Sequence, residues 1–238
     1  MRLAGQIVKG SRFLGSLMST MLERFRQFWT SVWAPLGNLL IKWGVSPNTV
    51  TIVGTIGVCA GALIFFPTGH LLIGVLFITA FVFSDMIDGY MARTTGNVST
   101  YGNFLDSTLD RIGDAAIFGG LAMYYVGPGD NHWIAALAVY CLSMGSVTSY
   151  ARAKAESLGM QAKVGIAERS DRLVFTLVTT GVAALIHQLG APHWILWATP
   201  IVLGLLAIAS SITVIQRIFV VHEQATAKDA ARDAEAQA

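Results

Sequence analysis

Four aspartates set the chemistry open to this chain. The stretch Asp85-Met-Ile-Asp88-Gly89-Tyr-Met-Ala92-Arg93 is followed, after eight residues, by Gly102-Asn-Phe-Leu-Asp106-Ser-Thr-Leu-Asp110. Both halves lie among strongly apolar segments, where one carboxylate at the bilayer centre costs roughly 2.5–3.5 kcal/mol on insertion scales. On a helix, residues three or four apart share a face. Asp85 with Asp88, and Asp106 with Asp110, therefore form two acidic pairs on consecutive helices joined by a short polar turn. Four converging carboxylates repel one another unless cations neutralise them. An all-oxygen donor set suits Mg²⁺ or Mn²⁺ rather than zinc. The spacing thus predicts a one- or two-metal site for phosphoryl or diphosphate chemistry.

The stretch resembles the signature of the CDP-alcohol phosphotransferases, DxxDGxxAR, eight residues, then GxxxDxxxD, with every fixed position present. The resemblance implies a reaction in which an acceptor hydroxyl attacks the β-phosphorus of a CDP-linked lipid and CMP departs. It implies that Asp85, Asp88 and Asp106 hold the metal ions. It implies that Asp110 is the general base, which can also ligate a metal. It places Asn48, Thr49, Val50, Thr51, Gly89, Ala92, Arg93, Ser99 and Gly102 around CDP-diacylglycerol. Arg93 would contact a phosphate, and the two glycines would let the nucleotide approach the backbone. The pattern stops at Asp110, so Asp114 is expected to pair with a nearby arginine such as Arg111.

A second stretch bears on the acceptor. Ser149-Tyr-Ala-Arg152-Ala-Lys154-Ala-Glu156 precedes Gly165-Ile-Ala-Glu168-Arg169-Ser-Asp-Arg172. Arg152 and Glu156 share a helical face. Arg152, Arg169, Arg172 and the late intramembrane Arg217 make a cationic pocket, which suits an acceptor carrying its own phosphate. Both stretches are similar to those of the actinobacterial phosphatidylinositol phosphate synthases, over about residues 44–217. That similarity implies 1D-myo-inositol 3-phosphate as acceptor and a homodimer. Arg152 stands where a lysine is expected in that family. The alternative acceptor is glycerol 3-phosphate, as in a phosphatidylglycerophosphate synthase. A more remote alternative is a proton or divalent-cation transporter, but that would spread its acids along a path, whereas these cluster at one end.

The composition says what must position these residues. Of 238 residues, 54% are hydrophobic and 13% charged, the balance of a polytopic membrane protein. The expected fold is all-α, with six membrane spans near 48–66, 71–92, 101–126, 132–156, 171–188 and 194–218. Ser46-Pro47-Asn48 signals the start of the first. Residues 1–18 are basic, and 19–34 read as an amphipathic interfacial helix rich in Trp and Phe. The expected organisation is therefore an N-terminal region over 1–43, a six-helix domain over 44–221, and a charged tail over 222–238, a solvated, frayed helix or disorder. The turns near 67–70, 127–132 and 189–193 contain no Lys or Arg. The opposite turns collect the cations, so both termini and the aspartates face the cytoplasm of a bacterial cell membrane. Cys59 and Cys141 lie in apolar runs, with no disulfide pattern expected. No nucleic-acid motif is present.

Overall fold

The computed structural model describes residues 32–96 and 99–236. The basic N-terminal segment and most of the expected interfacial helix lie outside the described residues. Among those described, the chain is helical, with no strand: α1 over residues 32–42, α2 Pro47–Phe65, α3 Leu71–Val82, α4 Ser84–Thr95, α5 Thr100–Val126, α6 His132–Ser157, α7 Arg169–Gln188, a short 3₁₀ turn His193–Trp197, and α8 Ala198–Ala236. Every expected apolar segment is helical. The second divides at Phe83 into α3 and α4.

Among the described residues, four stretches are long and apolar enough to cross a bilayer: Pro47–Phe65, Leu71–Thr95, His132–Ser157 and His193–Glu235. Helices α5 and α7 have 27 and 20 residues, but α5 carries Asp106, Asp110, Arg111 and Asp114, and α7 carries Arg169, Asp171 and Arg172. The tail, expected as a solvated, frayed helix or disorder, is the helical end of α8, continuing through Ala236.

Two compact units make up the chain. The first comprises the described part of Met1–Gly54 with Phe83–Asp106. Ser46 opens α2 here as expected, its hydroxyl accepting from the Thr49 N–H at 3.2 Å, with Pro47 at the first helical position. α1 lies against the motif helix α4. Trp33 stacks on Phe83 with centroids 5.4 Å apart, and the Tyr90 hydroxyl donates to Asn38 Oδ1 at 3.0 Å. A Cβ on Gly37 would stand 2.7 Å from the Tyr90 ring, so glycine permits this approach. α4 stops at Gly96, in the left-handed conformation with φ +70°, a helix-ending geometry that glycine adopts without strain.

The second unit comprises Thr55–Val82 with Ser107–Ala238. Its apolar core includes Ala62, Phe66, Ile78, Ile117, Phe118, Leu121, Ala138, Cys141 and Leu203. Small residues bring helices together: a Cβ on Gly120 would meet the Ala62 carbonyl oxygen at 2.5 Å, the close packing typical of membrane helices. Both cysteines are free, and Cys141 Sγ donates to the Leu203 carbonyl at 3.2 Å. α6 starts on an Asn131 side-chain cap. α7 starts on a capping box between Glu168 and Asp171, which satisfies two backbone donors that helix geometry leaves open.

Candidate active site

In the first unit, α4 presents Asp85 in its first turn and Arg93 in its last, as the helix dipole favours. Asp88 is buried, 9% exposed. The Thr51 hydroxyl, from α2, donates to its Oδ2 at 2.6 Å. A carboxylate buried on an apolar helix face needs such a donor, and this one fixes its orientation. Asn48, Ser99 and Gly102 also come together. The Gly102 N–H donates to Ser99 Oγ at 2.9 Å, and a Cβ on Gly102 would lie 3.1 Å from Ser99 Oγ and 3.2 Å from Asn48 Oδ1. Position 102 is therefore glycine where two polar side chains close in. A Cβ on Gly89 would face the Arg93 guanidinium at 3.3 Å. Thr49 pairs its hydroxyl with Ser46 Oγ at 2.9 Å. Val50 and Ala92 are partly buried.

In the second unit, Asp110 meets Arg169, the first residue of α7. Arg169 Nη1 lies 2.9 Å from Asp110 Oδ1, its Nε donates to Asp114 Oδ1 at 3.1 Å, and its Nη2 donates to the Asp110 carbonyl at 3.4 Å. Arg111 pairs with Asp114 at 3.6 Å and donates to Ser149 Oγ. Asp114 thus has the arginine partner expected of it, and a second one besides. Arg152 and Glu156 form the expected pair at 3.0 Å, on the exposed side of α6.

The other two arginines are deeply placed. Arg172 is 2% exposed. It rests on Gly145, whose hypothetical Cβ would lie 3.1 Å from Nε, and its Nη2 donates to the Gly145 carbonyl at 3.4 Å. Its Nη1 has no hydrogen-bond partner among the described residues. Arg217 is 5% exposed. Its Nε donates to the Val164 carbonyl at 2.9 Å, and its Nη1 donates to the Thr148 carbonyl. Sequence reasoning missed these backbone roles, and missed Thr51 as the partner of Asp88.

Among the described residues, no group of three or more His, Cys, Asp or Glu side chains is drawn together closely enough to hold a metal ion. Asp88 accepts from Thr51, and Asp110 pairs with Arg169. The donor set itself, carboxylate oxygens at helical spacing, fits a hard divalent cation. A cavity of about 230 Å³ lined by Tyr124, Tyr125, Asp130, Asn131, His193 and Thr199 contains none of the expected site residues.

A model of the CDP-alcohol phosphatidyltransferase family matches residues 44–216. The chain belongs to that family. This phosphatidyltransferase is 46% identical to the phosphatidylinositol phosphate synthase of Streptomyces avermitilis over 229 residues, covering 95% of this chain and 93% of the relative. It is 50% identical to that of Cutibacterium acnes over 202 residues, covering 85% and 98%. Its structure is similar to the crystal structure of Mycobacterium tuberculosis phosphatidylinositol phosphate synthase with CDP-diacylglycerol bound, with a TM-score of 0.74 and 36% identity, covering 80% of this chain and 94% of that one. The same mycobacterial enzyme in complex with manganese and citrate gives a TM-score of 0.74, covering 79% and 88%. The phosphatidyltransferase motif is the stretch Asp85–Asp110, shared between α4 and α5.

Proposed function

We infer that this phosphatidyltransferase is a phosphatidylinositol phosphate synthase, which transfers the phosphatidyl group of CDP-diacylglycerol to 1D-myo-inositol 3-phosphate and releases CMP. The observation that carries this reading is 46–50% identity, over nearly the full length of both partners, to synthases of that activity, with the aspartate motif intact. The arginines also favour a phosphorylated acceptor. Arg169 stands beside the reacting base, and Arg172 Nη1 has no hydrogen-bond partner among the described residues. With Arg152 and Arg217 they supply the positive potential for an acceptor phosphate.

Asp85, Asp88 and Asp106 would hold two divalent ions, Mg²⁺ or Mn²⁺, which supply neutralisation of the diphosphate and of the departing CMP. Thr51 fixes the Asp88 carboxylate. Asn48, Ser99 and Gly102 form a polar nook suited to CDP. Thr49, Val50, Gly89, Ala92 and Arg93 complete the nucleotide-lipid surface. Asp110 takes the proton from the acceptor hydroxyl. The oxygen then bonds to the β-phosphorus, the bond from that phosphorus to the bridging oxygen breaks, and CMP leaves with the electron pair.

With α5 and α7 joining the four apolar stretches the chain would cross the membrane six times, and the distribution of Lys and Arg favours both termini and the aspartates on the cytoplasmic side. The enzyme acts as a homodimer, on the family resemblance.

The test uses purified protein in detergent with Mg²⁺ and CDP-diacylglycerol. CMP release is followed with inositol 3-phosphate, glycerol 3-phosphate, inositol or serine, with Asp110→Asn as control. Release with inositol 3-phosphate alone, lost in the control, is the expected result. Release with glycerol 3-phosphate alone would overturn the acceptor while leaving the reaction intact.

A further inference from the structure

The segment joining α6 to α7, residues 158–168, is held by its backbone to one face of α8. Lys228 Nζ donates to the Leu158 carbonyl at 3.1 Å. Gln224 makes a reciprocal pair with Gln161: its Oε1 accepts from the Gln161 N–H at 2.9 Å, and its Nε2 donates to the Gln161 carbonyl at 2.7 Å. Arg217 Nε donates to the Val164 carbonyl at 2.9 Å. Thr213 Oγ1 accepts from the N–H groups of Ile166 at 3.0 Å and Ala167 at 3.2 Å.

These contacts run in register. Descending α8 from 228 to 213 ascends the segment from 158 to 167. Residues 213, 217, 224 and 228 fall within about 60° of one another around a helix of 3.6 residues per turn. The fifteen-residue interval along α8 rises about 22 Å at 1.5 Å per residue. Nine residues of extended chain span at most about 30–32 Å, so the segment lies drawn out along the helix. Gly165 has φ +148°, and a Cβ there would stand 2.3 Å from Thr213 Cγ2; the chain passes at this distance because the residue is glycine. Each of these hydrogen bonds engages a backbone group of the segment, so α8 fixes the path of the chain. That path leads directly into the Glu168–Asp171 capping box and Arg169, whose guanidinium holds Asp110.

We propose that this face of α8, extending through Gln224 and Lys228 in the C-terminal stretch, is a strap that positions the acceptor side of the active site. Gln224 and Lys228 are positioning residues, acting on Asp110 through the segment and Arg169. The proposal rests on the reading of Asp110 and Arg169 as active-site residues.

The test compares the full-length enzyme with the double variant Gln224→Ala/Lys228→Ala and with Gln161→Ala. Hydrogen exchange is followed in peptides spanning 158–168. CMP release is measured against acceptor and CDP-diacylglycerol separately, alongside the unfolding midpoint. In the double variant, exchange at the segment accelerates and kcat/KM for the acceptor falls roughly tenfold, the size expected from losing such hydrogen bonds. The KM for CDP-diacylglycerol stays within about twofold, and the midpoint is unchanged. Gln161→Ala retains wild-type behaviour, because only its backbone is engaged. Unchanged exchange and acceptor kinetics in the double variant would overturn the strap. So would equal losses toward both substrates in step with a lowered midpoint. If the wild type releases no CMP with any acceptor, the functional reading fails, while the exchange comparison still decides whether the strap holds the segment.

Discussion

Arg169 and Asp110 stand 2.9 Å apart, Nη1 to Oδ1, although 59 residues separate them in the chain. The guanidinium spans two acids, because its Nε also bonds Asp114. A single cation on the first turn of α7 thereby sets the orientation of the residue proposed to take the acceptor's proton. Both partners are partly open to solvent.

This geometry separates arginine from lysine at position 169. Lysine can meet one carboxylate but cannot bridge two with a fixed fork. Arg169→Lys is expected to keep a measurable fraction of activity, with kcat/KM for the acceptor down roughly tenfold, and Arg169→Ala to lose roughly a hundredfold or more. Steady-state CMP release with varied acceptor checks this, and equal activity of Lys and Ala variants would show that the bridge has no role.

Thr51 donates a 2.6 Å hydrogen bond to the buried Asp88. Thr51→Val keeps the shape and removes the donor. If Asp88 is a metal ligand, the Mg²⁺ concentration giving half-maximal activity should rise roughly 10- to 100-fold, the usual cost of losing a group that orients a ligand. Thr51→Ser should remain near wild type. A metal titration at saturating substrates distinguishes these outcomes.

Removing divalent ions with a chelator should abolish CMP release, and either Mg²⁺ or Mn²⁺ should restore it, since the donors are all carboxylate oxygen. Asp106→Asn should shift that metal requirement. Restoration by neither ion in folded protein would count against the metal site.

Two adjacent glycines of α5 should respond oppositely to alanine. At Gly120 the new methyl would meet the Ala62 carbonyl at 2.5 Å, whereas at Gly119 nothing lies within 4 Å. Gly120→Ala should destabilise by about 1–3 kcal/mol through overpacking against backbone. Gly119→Ala should be neutral or gain up to about 1 kcal/mol from helix propensity. Unfolding midpoints in one detergent make the comparison, and equal shifts would contradict the packing described.

The sequence by itself determined whatever depends on composition or on residues a few places apart. Apolar runs of membrane length announced the helices. Ser46-Pro47 announced the start of α2, i to i+4 spacing announced the Arg152–Glu156 pair, and the aspartate motif announced the family. Helical periodicity says which residues share a face but not which neighbour that face meets. Only the tertiary structure decided that Thr51 serves Asp88, and that α1 packs on α4 through Gly37 and Tyr90. It alone buried Arg172 and turned Arg217 onto backbone carbonyls. The C-terminal stretch shows the difference most plainly. Its alanines and mixed charges, viewed alone, have little apolar surface to bury and suggest fraying. Continued as α8, the same residues carry forward the face of Thr213 and Arg217, and Gln224 and Lys228 find their partners on a segment more than sixty residues earlier.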